Sequence, residues 1–341
     1  MKKQSWIILA ACLLALLLLA GCRPQKAASE PEFVFRYAEN QAEDFPTTLA
    51  GEYFAHRVWE MTNGRIEIMV YPNEELGDER SVIEQLQFGG IDFSRLNLSP
   101  VAELDTRYYA LQLPYLYDSS EHMWGVLDSD IGASYLEMTK GLGLCGLAWV
   151  DAGARSFYSR TPIYCLEDIK GLRIRVQENR LMQRLVESFG ANSQKLRYGM
   201  VLSALQTGEI DSAENNIPSY LSMGHYLIAR YFLEDEHSRI PEMIVASQVT
   251  MDKLSVEDYA VIQTAAKEAG LYQRELWTEY EKSAREQLIS GGCTMISLSA
   301  EAREELAAAV GVVYDEFILT DADADTVETI RQLGNRGEGT N

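Results

Sequence analysis

The chain has 341 residues, 47% of them hydrophobic, and its 51 acidic residues outnumber 30 basic ones to give a formal net charge of −21. A surface this acidic repels phosphate backbones, and no cluster of Lys and Arg interrupts it, which excludes nucleic-acid binding. The length and apolar content suffice for two ordinary hydrophobic cores or one large one.

The N-terminus has the form of an export signal. Two lysines precede an apolar run over residues 6–20 that is too short to span a membrane comfortably, and small residues stand directly before Cys22. Such a cysteine resembles that of the lipobox of bacterial lipoproteins, where it becomes the lipidated first residue. We expect residues 1–21 to be removed, and Cys22 and the tether over residues 22–32 to anchor the protein to the cell membrane, outside the cytoplasm. An ordinary signal peptide with an incidental cysteine is the alternative.

Strand and helix patterns alternate along the rest of the chain. Residues 33–38 (FVFRYA) alternate like a strand, and residues 47–62 carry apolar side chains at helical spacing. Residues 143–153 form a short apolar run bounded by glycines, which predicts a buried strand. Residues 255–288 predict a long, polar helix with Leu271 among its core positions.

An internal repeat suggests two halves of one design. LQFGGID and LQTGEID share the pattern L-Q-x-G-x-I-D after an apolar helical stretch, and Gly89 and Gly208 are placed as helix C-caps. Upstream, residues 63–72 and 170–179 each form a glycine-led alternating strand. We therefore predict an α/β protein with parallel-rich sheets in two lobes.

The predicted boundaries follow from these patterns. Lobe I comprises residues 33–152 with about 241–280 returning to it, and lobe II comprises residues 153–240 completed by about 281–333. The long helix is expected to span both lobes. Residues 334–341 are expected to be a disordered tail.

Polar residues follow several of the predicted strands. In open α/β sheets, ligands lie beyond the carboxyl ends of the strands. The residues that this rule selects are Arg95, Asn97, Arg175, Gln177, Glu178, Glu214, Asn215 and Asn216.

The motifs of common catalysts and metal sites are absent from the sequence. It contains no G-x-S-x-G elbow, P-loop, dinucleotide-binding glycine motif or H-E-x-x-H, and its four histidines match no ligand spacing. Cys145, Cys165 and Cys293 are odd in number and irregularly spaced, so no disulfide framework is predicted. We expect a binding protein without cofactor or metal, not an enzyme.

Arg175 stands out because it lies at the end of a strand that the pattern predicts to be half-buried. A guanidinium is a planar fork of donors that fits a carboxylate, and it is costly to bury without an anionic partner. The partner is either an anionic ligand or an internal carboxylate such as Glu178 or Glu214.

Residues 170–219 contain G-L-R-I-R-V, F-G-A-N and A-L-Q-T-G-E-I-D followed by S-A-E-N. This combination strongly resembles the signature region of the solute-binding proteins of tripartite ATP-independent periplasmic (TRAP) transporters. NGRIEIMVYPNEELGDER, IEQLQFGGIDF and ALQLPYLY are similar too, so the resemblance covers about residues 33–330. One departure is that the family pattern D-G-x-E-N-P reads D-S-A-E-N-N over residues 211–216.

The resemblance implies a two-lobed, periplasmic-binding-protein-like fold of type II character. Such proteins bind a small organic acid between the lobes and deliver it to a sodium-driven membrane permease. The resemblance implies that Arg175 grips the ligand carboxylate, with Asn215 as its hydrogen-bonding companion and Arg155 as a second arginine. The other positions that it brings to the ligand are Glu79, Arg95, Asn97, Tyr198 and His237.

The polar residues also bear on the kind of acid. Three arginines exceed the need of a plain monocarboxylate, while Glu79, Asn97 and Asn215, together with Glu39 or Asn40, suit several hydroxyls. An acidic acceptor repels a second carboxylate, so we favour a sugar acid, a hexuronate such as glucuronate or galacturonate or a related aldonate. A C4-dicarboxylate, sialic acid and a sensor module that presents its ligand to a membrane kinase are the alternatives.

Overall fold

The structure is a computed structural model that describes residues 30–337, with side chains to residue 334. The predicted signal peptide and Cys22 lie outside the described residues. Within residues 30–337, no helix combines the length and the apolar composition that a membrane crossing requires.

The described chain alternates strands and helices. The strands are β1 (Phe33–Ala38), β2 (Ile66–Tyr71), β3 (Phe93–Asn97), β4 (Leu144–Val150), β5 (Ser156–Ser159), β6 (Arg173–Val176), β7 (Asn192–Lys195), β8 (Ser212–Asn215), β9 (Tyr231–Leu233), β10 (Glu242–Ser247) and β11 (Thr294–Ile296). The helices are α1 (Pro46–Met61), α2 (Glu79–Phe88), α3 (Leu98–Ala102), α4 (Ser120–Leu127), α5 (Asp130–Met138), α6 (Leu166–Ile169), α7 (Arg180–Ser188), α8 (Val201–Thr207), α9 (Ile217–Ser222), α10 (Gln248–Met251), α11 (Val256–Ser290), α12 (Ala300–Ala309), α13 (Gly311–Phe317) and α14 (Asp321–Gly337).

Two separate sheets organise the molecule. The first has the order β2-β1-β3-β10-β4, in which β1 is parallel to β2 and β3, and β10 is antiparallel to β3 and β4. The second has the order β11-β9-β5-β8-β6-β7, in which β6 is parallel to β7 and β8. The two-lobed α/β fold predicted from the repeat is confirmed. The residue boundaries of the lobes stay a prediction.

The repeated motif produces the same local structure twice. Helix α2 ends at Gly89 and helix α8 at Gly208, both in the left-handed conformation with φ of 73°. After each glycine the chain enters β3 or β8 and then turns into a short helix. Asn97 and Asn216 cap these two helices by accepting a backbone N–H bond, which fixes two polar residues where the strands end.

Helix α11 joins the two halves, as predicted. Its first part packs on α1 and β4 and contributes Ile262 to the core of the first sheet, whereas Leu288 belongs to a core of the second. The prediction that Leu271 lies in the core is wrong, because its side chain is 59% exposed. The 3.6-residue stripe instead passes through Gln273 and Trp277, which are buried.

The C-terminus is also more ordered than the sequence predicts. Helix α14 continues to Gly337, beyond the start of the predicted tail at residue 334. The helix docks on α4, where the His122 Nε2 lies 2.8 Å from the carbonyl oxygen of Ile330. Gly334 allows this close approach, because a Cβ there would lie 2.3 Å from Asp118. Residues 338–341 lie outside the described range.

Candidate functional site

A cavity of about 450 Å³ lies between the two halves of the molecule and is lined by both. Of the predicted ligand-binding residues, those that line it are Glu79, Arg95, Asn97, Arg155, Arg175, Tyr198 and Asn215. His237 is not among the lining residues. Gln177, Glu178 and Asn216, which the strand-end rule selects, line it as well.

Arg175 is the penultimate residue of β6 and is only 3% exposed. Its Nε and Nη2 both donate to the carbonyl oxygen of Leu196, at 2.9 and 2.8 Å. Burial lowers the pKa of this guanidinium, and the nearest acid, Glu214, only partly opposes that effect. No carboxylate among the described residues forms an ion pair with it, so the internal pair with Glu178 or Glu214 is not formed.

Arg155, by contrast, is fully partnered inside the protein. Its Nε donates to Glu214, its Nη1 donates to the Asn215 Oδ1 at 3.1 Å, and its Nη2 donates to the Glu214 carbonyl oxygen at 3.0 Å. Burial would raise the pKa of Glu214, but Arg155 and His237 reverse that effect and lower it to about 2. The Asn215 amide, with its oxygen engaged by Arg155, lines the cavity beside Arg175.

His237 lies behind this pair. It is fully buried and stacks on Phe157 with ring centroids 4.3 Å apart. Its Nδ1 is 2.8 Å from Asp235 and its Nε2 is 3.8 Å from Glu214. Burial opposes protonation, yet the two acids raise the pKa of His237 to about 9, so the imidazole is a cation at neutral pH. The imidazole lies beside the carboxylate that holds Arg155 and is not part of the cavity wall.

The opposite wall has an excess of acid. Arg95 on β3 is 3% exposed and contacts three carboxylates: Glu39, Glu79 at 3.2 Å and Glu242 at 3.3 Å. Burial lowers the pKa of Arg95, but these acids outweigh burial and raise it well above its usual value. Asn97 ties the group together, because its backbone N–H donates to Glu79 at 2.6 Å and its amide donates to Glu242 at 3.0 Å.

The two walls touch at the edges of the cavity. Tyr198 donates to the Gln41 Oε1 at 3.3 Å, and Ser99 donates to the Gln177 Oε1 at 2.9 Å. Arg197 pairs with Asp78 at 3.1 Å. These contacts join residues of the first half to residues of the second, so the cleft is closed in this structure.

Glu242 is the site residue that the sequence did not predict. The strand-end rule places ligands at the carboxyl ends of parallel strands, but β10 runs antiparallel to β3, so its first residue lies opposite Asn97 at the cleft edge. The signal available in the sequence was the acid in IPEMIVAS, a strand pattern that begins with a charged residue.

The cysteines and the candidate metal ligands lie as follows. Cys145, Cys165 and Cys293 are free thiols. Among residues 30–337, no group of three or more His, Cys, Asp or Glu side chains is arranged to hold a metal ion.

Comparison with known proteins identifies the family. The sequence pattern of the family described as bacterial extracellular solute-binding protein, family 7 (DctP) matches residues 37–321. The chain belongs to this family. It is a TRAP solute-binding protein, so the predicted binding function, rather than an enzymatic one, is confirmed by the membership.

The similarity to individual relatives extends over most of the chain. A solute-binding protein of Chromohalobacter salexigens is 33% identical over 286 residues, which cover 84% of each chain. A TRAP periplasmic solute-binding protein of Xanthobacter autotrophicus Py2 with bound β-D-galacturonate is 36% identical, with a TM-score of 0.85 over 87% of this chain and 99% of that one. A TRAP protein of Chromohalobacter salexigens DSM 3043 with bound D-glucuronate is 32% identical, with a TM-score of 0.85 over 88% and 99% of the two chains.

Proposed function

We propose that this TRAP solute-binding protein captures a hexuronate, a six-carbon sugar acid such as galacturonate or glucuronate, and delivers it to a sodium-coupled membrane permease. The observation that carries the proposal is Arg175. It is a guanidinium with 3% exposure at the wall of a closed cavity, and it has no carboxylate partner among the described residues. A buried cation is stable when an anion completes it, and a ligand carboxylate fits its donor fork.

Asn215 extends the anion-binding side of the cavity. Arg155 holds the Asn215 Oδ1 at 3.1 Å, which leaves the amide nitrogen for a ligand oxygen. Arg155 is neutralised by Glu214, so its part is to position Asn215. A single free guanidinium suits a ligand with one carboxylate.

The opposite wall favours hydroxyl groups. Glu79, Glu242 and the Asn97 amide line the cavity there, and carboxylate oxygens accept hydrogen bonds from hydroxyls but repel anions. A C4-dicarboxylate would bring its second carboxylate to this wall. The relatives with bound galacturonate and glucuronate support the same choice.

The mechanism is capture without chemistry. In an open state, Arg175 on the second half is exposed to solvent and binds the carboxylate. Closure then brings the Glu79 and Asn97 wall onto the hydroxyls and forms the cross-cleft contacts, such as Tyr198 to Gln41 at 3.3 Å. The closed form is the shape that a permease distinguishes from the empty protein.

A panel of ligands tests the proposal. We expect galacturonate, glucuronate or a related hexuronate to raise the midpoint temperature of thermal unfolding of the mature protein (residues 22–341). At a ligand concentration one hundred times Kd, the free energy of unfolding should rise by about 2.7 kcal/mol. C4-dicarboxylates and sialic acid are the comparison ligands. If only a dicarboxylate or sialic acid shifts the unfolding midpoint, that acid replaces the hexuronate as the proposed ligand.

Arg175→Ala tests the clamp itself. Loss of the guanidinium leaves a desolvated carboxylate without its partner, so binding should weaken by about 2 to 5 kcal/mol, measured by titration calorimetry. Arg173→Ala is the matched control, because Arg173 lies on the same strand but pairs with Asp211 at the surface. An Arg175→Ala protein that binds as tightly as the parent would contradict the assignment.

We also infer that the mature protein is a lipoprotein anchored through Cys22. The inference rests on the small residues before Cys22 and on the short apolar run that precedes them. Expression of the full chain should yield a membrane-associated protein that carries acyl groups on residue 22, as detected by mass spectrometry. Cys22→Ser should release the protein from the membrane fraction, and release of the unmodified parent would contradict the inference.

A further inference from the structure

Three carboxylates around one buried arginine are more than its charge requires. Glu39 by itself balances the charge of Arg95: its side chain is fully enclosed and accepts hydrogen bonds from both the Arg95 Nε and Nη2. The Glu39 Oε1 also accepts the backbone N–H groups of Asn40 and Gln41, at 2.8 and 3.1 Å. Glu39 does not line the cavity, so it is the internal counter-ion of Arg95.

Glu79 and Glu242 are left over, and both line the cavity. Each uses only its Oε1 toward the protein: that of Glu79 lies 3.2 Å from the Arg95 Nη1, and that of Glu242 lies 3.3 Å from the same nitrogen. The two carboxylates therefore stand side by side. Neither Oε2 has a hydrogen-bond partner among the described residues. The Glu79 side chain is 19% exposed and the Glu242 side chain 10% exposed, so both are largely removed from solvent.

The electrostatics of this pair favour neutral donors. Burial raises the pKa of Glu242 to about 7, the neighbouring acids add to that effect and Arg95 opposes it. A second ligand carboxylate placed here would face two acids at close range, whereas a hydroxyl would donate to a free oxygen. The charged and titratable groups that face Glu242 are Tyr37, Glu39, Glu79, Arg95 and Arg155.

We propose that Glu242, paired with Glu79, is a specificity-determining residue: its free Oε2 accepts a hydrogen bond from a ligand hydroxyl at the end of the cavity opposite Arg175 and excludes a carboxylate from that position. The proposal rests on the proposed function, because it assumes a ligand whose carboxylate is held by Arg175. Glu242 then determines whether the protein prefers a sugar acid with one carboxylate over one with two.

The test compares two ligands of the same carbon skeleton. One is a hexuronate, and the other is the corresponding aldarate, in which C1 is oxidised to a second carboxylate. Calorimetry at pH 8 gives the ratio of their dissociation constants for the mature protein and for Glu242→Gln, which keeps the shape and removes the negative charge. We expect the hexuronate to bind 10- to 100-fold more weakly to Glu242→Gln, roughly the effect of losing one charge-assisted hydrogen bond, and the preference over the aldarate to fall at least tenfold.

The control variant is Glu75→Gln. It removes the same charge from an exposed side chain that does not line the cavity and forms no ion pair among the described residues. The ratio of dissociation constants for Glu75→Gln should match that of the parent. An unchanged ratio in Glu242→Gln, or an equal change in Glu75→Gln, would overturn the proposal.

The pH dependence of the unmodified protein is a second readout that needs no variant. The preference for the hexuronate should grow between pH 6 and pH 8.5, because Glu242 loses its proton over this range and then repels the aldarate more strongly. A preference that falls as the pH rises over this range would overturn the proposal. A parent protein that binds no hexuronate would overturn the proposed function together with this inference, whereas hexuronate binding with an unchanged ratio would overturn this inference alone.

Discussion

The two walls of the cleft handle buried charge in opposite ways. On one wall, Arg175 is a cation whose hydrogen-bond partner among the described residues is a carbonyl oxygen, at 2.8 Å. On the other, Arg95 is surrounded by three carboxylates, two of which reach the cavity. A stable protein neutralises its buried charges internally, so a charge left without a partner at a cavity marks the place where a ligand supplies it.

The largest effect expected from this comparison is on stability, at the acidic wall. Arg95→Met removes the cation that Glu39 contacts and leaves buried carboxylates uncompensated, so the free energy of unfolding should fall by about 3 to 5 kcal/mol at pH 8. Urea denaturation monitored by circular dichroism measures this loss. Part of the loss should return at pH 5, because burial raises the pKa of Glu242 to about 7 and this carboxyl is then protonated; a uniform loss at both pH values would contradict the electrostatic cause.

A buried histidine gives the next largest effect. The pKa of His237 is about 9 in the folded state against 6.5 in the unfolded chain, so its contribution is complete below pH 6.5 and is lost as the pH rises through 9. The difference in unfolding free energy between the parent and His237→Gln should shrink by roughly 2 to 3 kcal/mol from pH 6.5 to pH 9. Urea denaturation at several pH values measures this difference.

His225 is the matched control for that prediction. It is also fully buried, but burial lowers its pKa to about 3, with Arg175 adding to the effect, so it is neutral throughout this range. The difference in unfolding free energy between the parent and His225→Gln should therefore change by less than about 0.5 kcal/mol between pH 6.5 and pH 9. If the difference in unfolding free energy from the parent changes equally with pH for both variants, the charge of His237 does not cause that change.

Arg175 should behave differently from Arg95 when each is removed. Because no carboxylate in the described part of the chain pairs with Arg175, Arg175→Met should change the free energy of unfolding of the ligand-free protein by less than about 1 kcal/mol, or raise it. Urea denaturation alongside Arg95→Met gives the contrast directly. A loss as large as that of Arg95→Met would show that Arg175 is a structural residue.

The smallest effect belongs to the pair that bridges the two walls at the surface. Arg197 and Asp78 lie 3.1 Å apart, with side chains 64% and 27% exposed, so solvent screens the attraction. Arg197→Ala should weaken ligand binding by less than about threefold, and by less still at high salt. Arg184→Ala is the control, because Arg184 pairs with Glu316 at 2.7 Å away from the cavity; an equal effect there would exclude a role in closure.

Much of the fold could be read from local patterns. The β1 strand begins and ends where its alternation predicts, and Gly89 and Gly208 end their helices because only a residue without Cβ enters the left-handed conformation freely. The long helix was predicted as well, although its core stripe was misplaced at Leu271. These features depend on neighbours within a few residues, which the sequence displays directly.

The candidate site was predictable in part. The sequence alone placed Arg175 at the end of a strand, and it placed polar residues where β3 and β8 end. It could not determine that Glu214 pairs with Arg155 rather than with Arg175, that His237 lies behind this pair, or that Glu242 joins Glu79 across the cavity from Arg175. The Arg155–Glu214 and Arg95–Glu242 contacts connect residues 59 and 147 positions apart, and the packing of the two sheets and the return of β10 bring these residues together. The tertiary structure therefore decided that Arg155 and Arg95 are paired with buried carboxylates, whereas Arg175 has no carboxylate partner among the described residues.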